Sequence, residues 1–274
     1  MSGTSYDPAA FHQFEHEGWE RLSDGYHRHW EALTTQAVPR MLAGTEVAKG
    51  MRVLDVACGP GYVSGAAAAW GAATVGVDFS QNMVALAQNN FSELDFQTAD
   101  AEDLPFPDGS FDVVLINFGV LHFPTPEKAL AEAFRVLKAD GKLALTNWAK
   151  SDTSAITIAM KAIIKEGALD IGLPEGTPLY RFADPDECES VLGEVGFSDI
   201  VCSELELTWR LPESDTLMDT FSQATARMSG LLRAQDPDRL PVISAAMEEG
   251  CAPYHQCGVR VLPMPALLTI ATKV

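Results

Sequence analysis

Apolar residues occur along the chain both in short strand-like runs and at helical spacing, and both patterns are clearest between residues 51 and 148. Five short apolar runs (MRVLDVA, TVGVD, LDFQTAD, FDVVLIN and KLALTNW) are separated by segments with apolar residues at helical spacing, at 66–70, 82–89 and 126–137. Strands that alternate with helices form right-handed βαβ units. This segment therefore predicts a parallel sheet with helices on both faces.

The flanking segments are mainly helical. Residues 11–42 predict helices rich in aromatic residues and histidine, and 154–169 and 216–235 also have helical spacing. A capped helix from Asp184 leads into an apolar strand at 199–211, and ALLTIATKV predicts a last strand. The helical segments interrupt the final connections of the sheet, which predicts a lid over its ligand-binding edge. The predicted parts are an N-terminal helical lid (1–45), a ligand-binding core (46–150) and the remainder of the sheet (151–274) with cap insertions at about 151–183 and 212–262.

The charge balance limits the partners. The chain has 38 acidic residues against 19 Lys and Arg, a net charge of -19, so nucleic acid and anionic membrane surfaces are repelled. The first twenty residues lack the basic and apolar regions of a secretory signal, and no apolar run is long enough to span a bilayer, which predicts a cytoplasmic protein. Five scattered cysteines without a Cys-x-x-Cys pair predict reduced thiols.

A glycine-rich turn, DVACGPGYVSG, follows the first predicted strand. In a doubly wound sheet this turn meets the ligand, and Gly59 and Gly61 let the backbone approach it closely. A dinucleotide requires G-x-G-x-x-G, but Ser64 occupies the third place, and Asp55 would repel a pyrophosphate. The chain also lacks the G-x-x-x-x-G-K-[ST] motif of ATP sites.

Two carboxylates around this turn suit a ligand with an ammonium group, a ribose and an adenine but no phosphate, such as S-adenosylmethionine. Asp78, at the tip of the second strand, is placed to accept hydrogen bonds from the ribose hydroxyls. Asp100, after the third strand, is placed to accept from the adenine amino group. Phe79 and Met83 are placed along the adenine faces.

The segments VLDVACGPGYVS, VGVDFSQNMVALAQ, TADAEDLPFPDGSFDVVLINFGVLHF and ALAEAFRVLKADGKLALTNW, within residues 51–149, resemble class I S-adenosylmethionine-dependent methyltransferases. The nearest subgroup is the small-molecule enzymes similar to the ubiquinone/menaquinone-biosynthesis C-methyltransferases. The resemblance implies an α/β, Rossmann-like, doubly wound seven-stranded sheet of order 3-2-1-4-5-7-6, with the last strand antiparallel. At the first glycine of the family's D-x-G-x-G-x-G motif this chain has Ala57.

The resemblance also implies roles for individual residues. The turn surrounds the methionine moiety, the Ala101 backbone joins Asp100 at the adenine, and residues 117–119 line the route to the sulfonium. WERLSDGYHRHW resembles the aromatic N-terminal lid of this subgroup, which closes over the cofactor. The predicted cofactor-binding residues are Tyr26, Trp30, Asp55, Ala57, Gly59, Gly61, Asp78, Phe79, Met83, Asp100, Ala101 and Asn117.

Methyl transfer from a sulfonium is an in-line displacement, which needs alignment more than a dedicated base. His122 follows the fourth strand and is a candidate catalytic base; the alternative is a packing or hydrogen-bonding histidine. His27 and His29 on the lid are rival candidates.

Other clusters carry weaker signals. His12 with His16, and Cys251 with His255 and Cys257, have passable ligand spacing but lack a fourth ligand, so no metal site is predicted. Few cations occur in the later helical insertions, which disfavours a polyphosphorylated substrate; they are chiefly Arg227, Arg233, Arg239 and Arg260. Arg181, beside Tyr180, either clamps a carboxylate of the substrate or forms a structural ion pair.

Two functions remain open from the sequence. The first is methyl transfer to oxygen, carbon or nitrogen of a small, largely apolar metabolite, with S-adenosylhomocysteine as the second product. The fourth strand ends in NFGV rather than N-P-P-[YF], which disfavours nucleic-acid and protein substrates. The alternative is a protein that binds S-adenosylmethionine without transferring methyl, for example one that promotes a cyclisation. A homo-oligomer, in which N-terminal helices exchange between subunits, is also open.

Overall fold

The computed structural model describes residues 6–274, which form two compact units. We call the first the sheet unit (34–149, 176–205 and 266–274) and the second the helical unit (6–33, 150–175 and 206–265). Residues 1–5 of the predicted N-terminal lid lie outside the described residues. Residues 34–45, also assigned to that lid, belong to the sheet unit.

Ten helices and ten strands make up the described chain, together with short 3₁₀ turns. The helices are α1 (Pro8–Thr34), α2 (Val38–Gly44), α3 (Tyr62–Ala69), α4 (Gln81–Asn90), α5 (Pro126–Val136), α6 (Ala155–Glu166), α7 (Pro185–Val195), α8 (Leu217–Ala224), α9 (Ala226–Arg233) and α10 (Leu240–Cys251). The strands are β1 (Arg52–Val56), β2 (Ala73–Asp78), β3 (Asp95–Thr98), β4 (Phe111–Asn117), β5 (Leu137–Trp148), β6 (Phe197–Leu205), β7 (Thr208–Pro212), β8 (His255–Gln256), β9 (Val259–Pro263) and β10 (Ala266–Lys273).

The sheet unit is built on one seven-stranded sheet of order β3-β2-β1-β4-β5-β10-β6. Strands β1 to β5 pair in parallel, whereas β10 is antiparallel to both β5 and β6. When only the strands of this sheet are numbered, the order is 3-2-1-4-5-7-6, so the predicted fold class is confirmed. The strand order reverses between β1 and β4, and ligands of such sheets bind outside the carboxyl ends of the strands at that point.

The strands of the sheet are apolar on both faces because helices cover both faces. In β4 the run from Val113 to Ile116 is wholly buried. Helix α5 buries Ala129, Leu130, Ala133 and Val136, the spacing of one helical face, against this core. The helix predicted from Asp184 is α7, whose N-cap carboxylate accepts a hydrogen bond from the Asp186 amide.

Two predicted elements are divided in the structure. Residues 199–211 were predicted as one strand, but β6 ends at Leu205 in the large sheet and β7 starts at Thr208 in a separate sheet of order β7-β9-β8. Residues 216–235 form two helices, because Thr225 has extended backbone angles (φ -139°, ψ 129°). Apolar periodicity records which side of a segment is buried, but not which strand pairs with it.

Two buried charged side chains of the helical unit are paired. Arg260 is 2% exposed and donates to Glu248 Oε2 at 2.6 Å. Glu15 is fully buried and accepts hydrogen bonds from Trp19 Nε1 at 2.9 Å and from Arg227 Nε at 3.0 Å. No helix of the described chain has the length and apolar character needed to cross a membrane.

Helices α1 and α8 approach closely at Gly25. A Cβ atom placed on Gly25 would lie 1.8 Å from the backbone oxygen of Gln223. This distance is far inside van der Waals contact, so only glycine permits the approach. Gly193, on the exposed side of α7, has no atom within 4 Å of the corresponding position.

We expect these two glycines to respond oppositely to alanine. Gly25→Ala should destabilise the protein by about 3 kcal/mol, because the methyl group forces the two helices apart. The control, Gly193→Ala, should stabilise it by about 0.5–1 kcal/mol, because alanine loses less backbone entropy in a helix. Denaturant unfolding followed by circular dichroism measures both, and a Gly25→Ala protein as stable as the control would contradict the close helix contact.

Candidate functional site

The glycine-rich turn joins β1 to α3 at the point where the strand order reverses. Gly59 and Gly61 both have left-handed backbone angles (φ 51° and 85°), and Gly61 is the N-cap of α3. A Cβ atom on Gly61 would lie 2.8 Å from the Phe96 ring. The turn therefore requires glycine there for both its backbone angle and its packing.

Asp78 ties this turn to the next helix. Its Oδ2 accepts a hydrogen bond from the Gly59 amide at 2.9 Å, and its Oδ1 accepts from the Ser80 amide at 3.0 Å. Ser80 is in turn the N-cap of α4 and accepts from the Met83 amide. The carboxylate of Asp78 therefore fixes the glycine-rich turn to the start of α4.

Asp55 is the most deeply buried carboxylate of the turn, at 1% exposed. Its Oδ2 accepts from the Ser64 amide at 3.0 Å and from the Ser64 hydroxyl at 2.8 Å. Its Oδ1 is buried and has no hydrogen-bond partner among the described residues. Burial raises the pKa of Asp55 to about 7, the Ser64 hydrogen bonds oppose this rise, and the charge of Asp78 adds to it. A cationic group beside Oδ1 would supply the missing donor and restore the ionised form.

Ala57 stands where the family motif has glycine, and it adopts a left-handed backbone angle (φ 55°). This conformation costs a residue with a side chain about 1 kcal/mol. The methyl group lies against the end of β4, because a Cβ atom on Gly119 would be 2.8 Å from the Ala57 Cβ. The alanine thus fits because residue 119 is glycine, and the two loops are packed together at this edge of the sheet.

The segment after β4 is held by Asn117, which the sequence singled out, and by Thr146 and Trp148, which it did not. Asn117 donates from Nδ2 to the Thr34 carbonyl at 3.2 Å, and its Oδ1 accepts from the Thr146 hydroxyl at 2.8 Å. The same hydroxyl accepts from the amide of Phe118, whose φ is 56°. The Phe118 ring stacks on Trp148 at a centroid distance of 3.9 Å. Thr146 and Trp148 lie at the carboxyl end of β5, which pairs in parallel with β4. This predicted pairing was the sequence signal that could have placed both residues beside the segment after β4.

The predicted adenine-side residues lie at the ends of β2 and β3. Asp100 Oδ1 accepts from the Glu102 amide at 2.9 Å, and Ala101 is 8% exposed within the apolar core of the sheet unit. Phe79 is half-buried directly after Asp78, and Met83 is buried on α4. The parallel register therefore places Asp55, Asp78 and Asp100 at the same edge of three neighbouring strands.

The candidate bases fall in different units. His122 ends a short 3₁₀ turn (Val120–His122) after β4 in the sheet unit and is half-buried. His27 is half-buried on α1 in the helical unit. His29 has Nδ1 at 3.9 Å from Asp215 Oδ2, and burial lowers its pKa although Asp215 opposes this shift. The catalytic role of each histidine stays a prediction.

The predicted lid aromatics pack within the helical unit. The Tyr26 ring stacks on Trp30 at 6.4 Å. Trp30 is 3% exposed and contacts Trp209 at 4.8 Å and Phe221 at 5.9 Å between ring centroids. These contacts give both residues a structural role, and closure over a cofactor stays a prediction.

Of the two alternatives for Arg181, the structure shows an ion pair. Its guanidinium contacts Glu127 and Glu187, each at 2.6 Å. His255 lies beside Glu213, with Nδ1 at 3.2 Å from Oε1. Within residues 6–274, no three His, Cys, Asp or Glu side chains are grouped so that they could hold a metal ion.

Comparisons with known proteins match both the turn and the fold. Residues 54–145 match the methyltransferase domain family. The demethylmenaquinone methyltransferase of Renibacterium salmoninarum is 34% identical over 191 residues, which cover 65% of this chain and 77% of that protein. The enzyme of the same name from Paenarthrobacter aurescens is 28% identical over 249 residues, covering 86% of this chain and 88% of the relative.

Solved structures share the fold at low sequence identity. The YcgJ protein of Bacillus subtilis has a TM-score of 0.57 at 22% identity, covering 87% of this chain and 98% of its own. Phosphoethanolamine N-methyltransferase 2 of Haemonchus contortus, solved with S-adenosyl-L-methionine, has a TM-score of 0.58 at 16% identity. The match covers 96% of this chain and 60% of that protein. The [4+2]-cyclase SpnF has a TM-score of 0.53 at 23% identity, and the match covers 90% of this chain and 83% of the cyclase. Identities this low show the fold alone, so the cyclase does not favour the alternative without methyl transfer.

The sequence relatives decide the family. The Renibacterium enzyme is matched at 34% identity over 77% of its length. The ubiquinone/menaquinone biosynthesis C-methyltransferase UbiE of Geotalea uraniireducens is matched at 36% over 81% of its length. The chain is an S-adenosylmethionine-dependent methyltransferase and belongs to the family of the demethylmenaquinone and ubiquinone/menaquinone C-methyltransferases.

Proposed function

We propose that the protein transfers a methyl group from S-adenosylmethionine to a small, largely apolar metabolite by in-line displacement and releases S-adenosylhomocysteine. One observation carries the cofactor assignment to this edge of the sheet. The buried Oδ1 of Asp55 has no hydrogen-bond partner within residues 6–274, and it lies next to a turn in which Gly59 and Gly61 have left-handed backbone angles. A ligand ammonium group satisfies this oxygen, whereas a phosphate would be repelled by it.

The described residues fit the remaining parts of the cofactor. Asp78 lies at the end of β2 beside the turn, where it binds the Gly59 and Ser80 amides, and is assigned to the ribose hydroxyls. Asp100, with Phe79 and Met83, follows on the neighbouring strand ends and is assigned to the adenine. Tyr26 and Trp30 are assigned to the lid. When bound, S-adenosylmethionine supplies an electrophilic methyl group on its sulfonium.

Alignment and exclusion of water are the tasks of the protein in such a displacement. Asn117 shapes the segment after β4 through its hydrogen bonds to Thr34 and Thr146. His122, directly after this segment, is assigned as the base that takes the proton from the acceptor. His27 is the alternative candidate for the base, and an asparagine variant of each histidine tests its role.

Two of the relatives named above, from Renibacterium salmoninarum and Paenarthrobacter aurescens, act by their names on demethylmenaquinone. An apolar, demethylated quinone precursor is therefore the first acceptor to test. The family match ends at residue 145, before most of the helical unit. The atom that is methylated, and acceptors outside the quinones, are accordingly part of the test.

Product analysis tests the function. With S-adenosylmethionine and a short-chain demethylated quinone, or another apolar acceptor from a screen, we expect S-adenosylhomocysteine and a product one methyl group heavier in equal amounts by mass spectrometry. His122→Asn should lower kcat by about 100-fold with little change in cofactor affinity, because only proton removal is lost. His27→Asn serves as the matched comparison. A rearranged product of unchanged mass, without S-adenosylhomocysteine, would exclude methyl transfer.

Asp78→Asn should weaken binding of S-adenosylmethionine and S-adenosylhomocysteine at least about tenfold, because hydrogen bonds to a charged acceptor contribute about 1.5–3 kcal/mol. Asp95→Asn, an exposed carboxylate at the start of β3, is the control and should bind normally. Isothermal titration calorimetry measures both. Equal affinity of the two variants would remove Asp78 from the cofactor site.

Cofactor affinity should rise with pH. The Asp55 carboxyl, with a pKa of about 7, is mostly protonated at pH 6 and must lose its proton to pair with the ligand ammonium. The dissociation constant should therefore fall about fivefold from pH 6 to pH 7, where an α-amino group is still mostly charged. Calorimetry in buffers of different ionisation enthalpy should detect a released proton. Asp55→Asn should abolish this dependence, and a wild-type affinity independent of pH would contradict the assignment.

A further inference from the structure

The helical unit contains an open cavity of about 440 Å³ bordered by α1, α8 and α9, and the side chains of Arg21, Arg28 and Arg233 around it are exposed to solvent. All its lining residues belong to this unit. One wall forms where Gly25 lets α1 approach the backbone of Gln223. The polar groups that line the cavity and matter for its chemistry are Arg21, Arg28, Arg233, Gln223, Ser229 and Asp24.

The three arginines of this cavity differ from others in the same unit. Arg227, Arg239 and Arg260 each have a carboxylate oxygen within 3.2 Å. In the part of the chain that the structure describes, the three cavity arginines have no ion pair within 4.0 Å. Burial and the nearby charge of Arg233 lower the pKa of Arg21, and Glu17 only partly opposes this. In a chain with a net charge of -19, three guanidinium groups without an ion pair among the described residues thus lie around one cavity.

Ser229 provides an independent observation. It is 1% exposed, lines the cavity, and its hydroxyl oxygen has no hydrogen-bond partner among the described residues. Leaving a buried hydroxyl without a partner is destabilising, and most buried polar side chains in proteins do have a hydrogen-bond partner. A hydroxyl can donate to an anion, as can the guanidinium groups and the Gln223 amide.

We propose that this cavity binds a single phosphate-type oxyanion, either free phosphate or a phosphate monoester of a small molecule. Among the residues that line the cavity, the three arginines and Asp24 together carry a net charge of about +2. This charge matches a phosphate dianion better than a monocarboxylate. The planar guanidinium fork pairs with two oxygens of one phosphate group. The site is additional to methyl transfer and does not depend on the assigned cofactor site.

Titration calorimetry and thermal unfolding test the proposal, with inorganic phosphate, methyl phosphate and acetate compared at constant ionic strength. We expect saturable binding and a raised Tm with phosphate, and at least tenfold weaker binding of acetate. The double variant Arg28→Gln/Arg233→Gln should bind phosphate at least tenfold more weakly. It should be no less stable than wild type without phosphate, because a repulsion between like charges is removed. The control is Arg210→Gln, an exposed arginine of β7 outside the cavity.

Ser229→Ala gives a second, milder test. It should weaken phosphate binding several-fold and leave the phosphate-free protein at least as stable, because it removes a hydroxyl without a partner. Equal affinity for phosphate and methyl phosphate would indicate a site for the free anion, and tighter binding of the ester would indicate an organic ligand. Absence of saturable binding to folded wild-type protein, or equal losses in the double variant and Arg210→Gln, would overturn the proposal. S-adenosylmethionine titration of the same samples reports the cofactor site separately.

Discussion

Parallel pairing of β1 with both β2 and β4 is the constraint on which the site depends. Because β1 lies between these strands, the turn after it, Asp78 after β2 and the segment after β4 are brought to one edge. The hydrogen bond from the Gly59 amide to Asp78 then closes the turn onto β2. The geometry of the cofactor site thus follows from backbone pairing before any side chain is considered.

Three unfavourable local features lie at this edge. Ala57 and Phe118 both adopt left-handed backbone angles, and Asp55 has a buried oxygen without a partner in the described part of the chain. Strain and unmet polar groups of this kind persist where the surrounding structure holds them in place, and they are common at functional sites. Here the packing of Ala57 on Gly119 and of Phe118 on Trp148 holds them.

Charge is arranged differently in the two units. In the sheet unit, Asp55 and Asp78 beside the glycine-rich turn are held by backbone amides, an arrangement that suits a ligand with positive charge. The helical unit pairs Arg227 and Arg260 with buried or half-buried carboxylates, yet leaves Arg21, Arg28 and Arg233 around one cavity. Net charge alone indicates that polyanions are repelled, but it does not show such local reversals of sign.

Local pattern was enough to predict the βαβ core, the strand order through the family resemblance, the cap of α7 at Asp184 and the carboxylates around the glycine-rich turn. Each of these depends on neighbours close in the chain or on a motif of fixed spacing. Only the tertiary structure divided 199–211 between two sheets. It also joined Asn117 to Thr34 and Thr146, and grouped Arg21 and Arg28 with Arg233 around one cavity. Those contacts join residues far apart in the chain, and periodicity carries no information about which distant segment will cover a buried face.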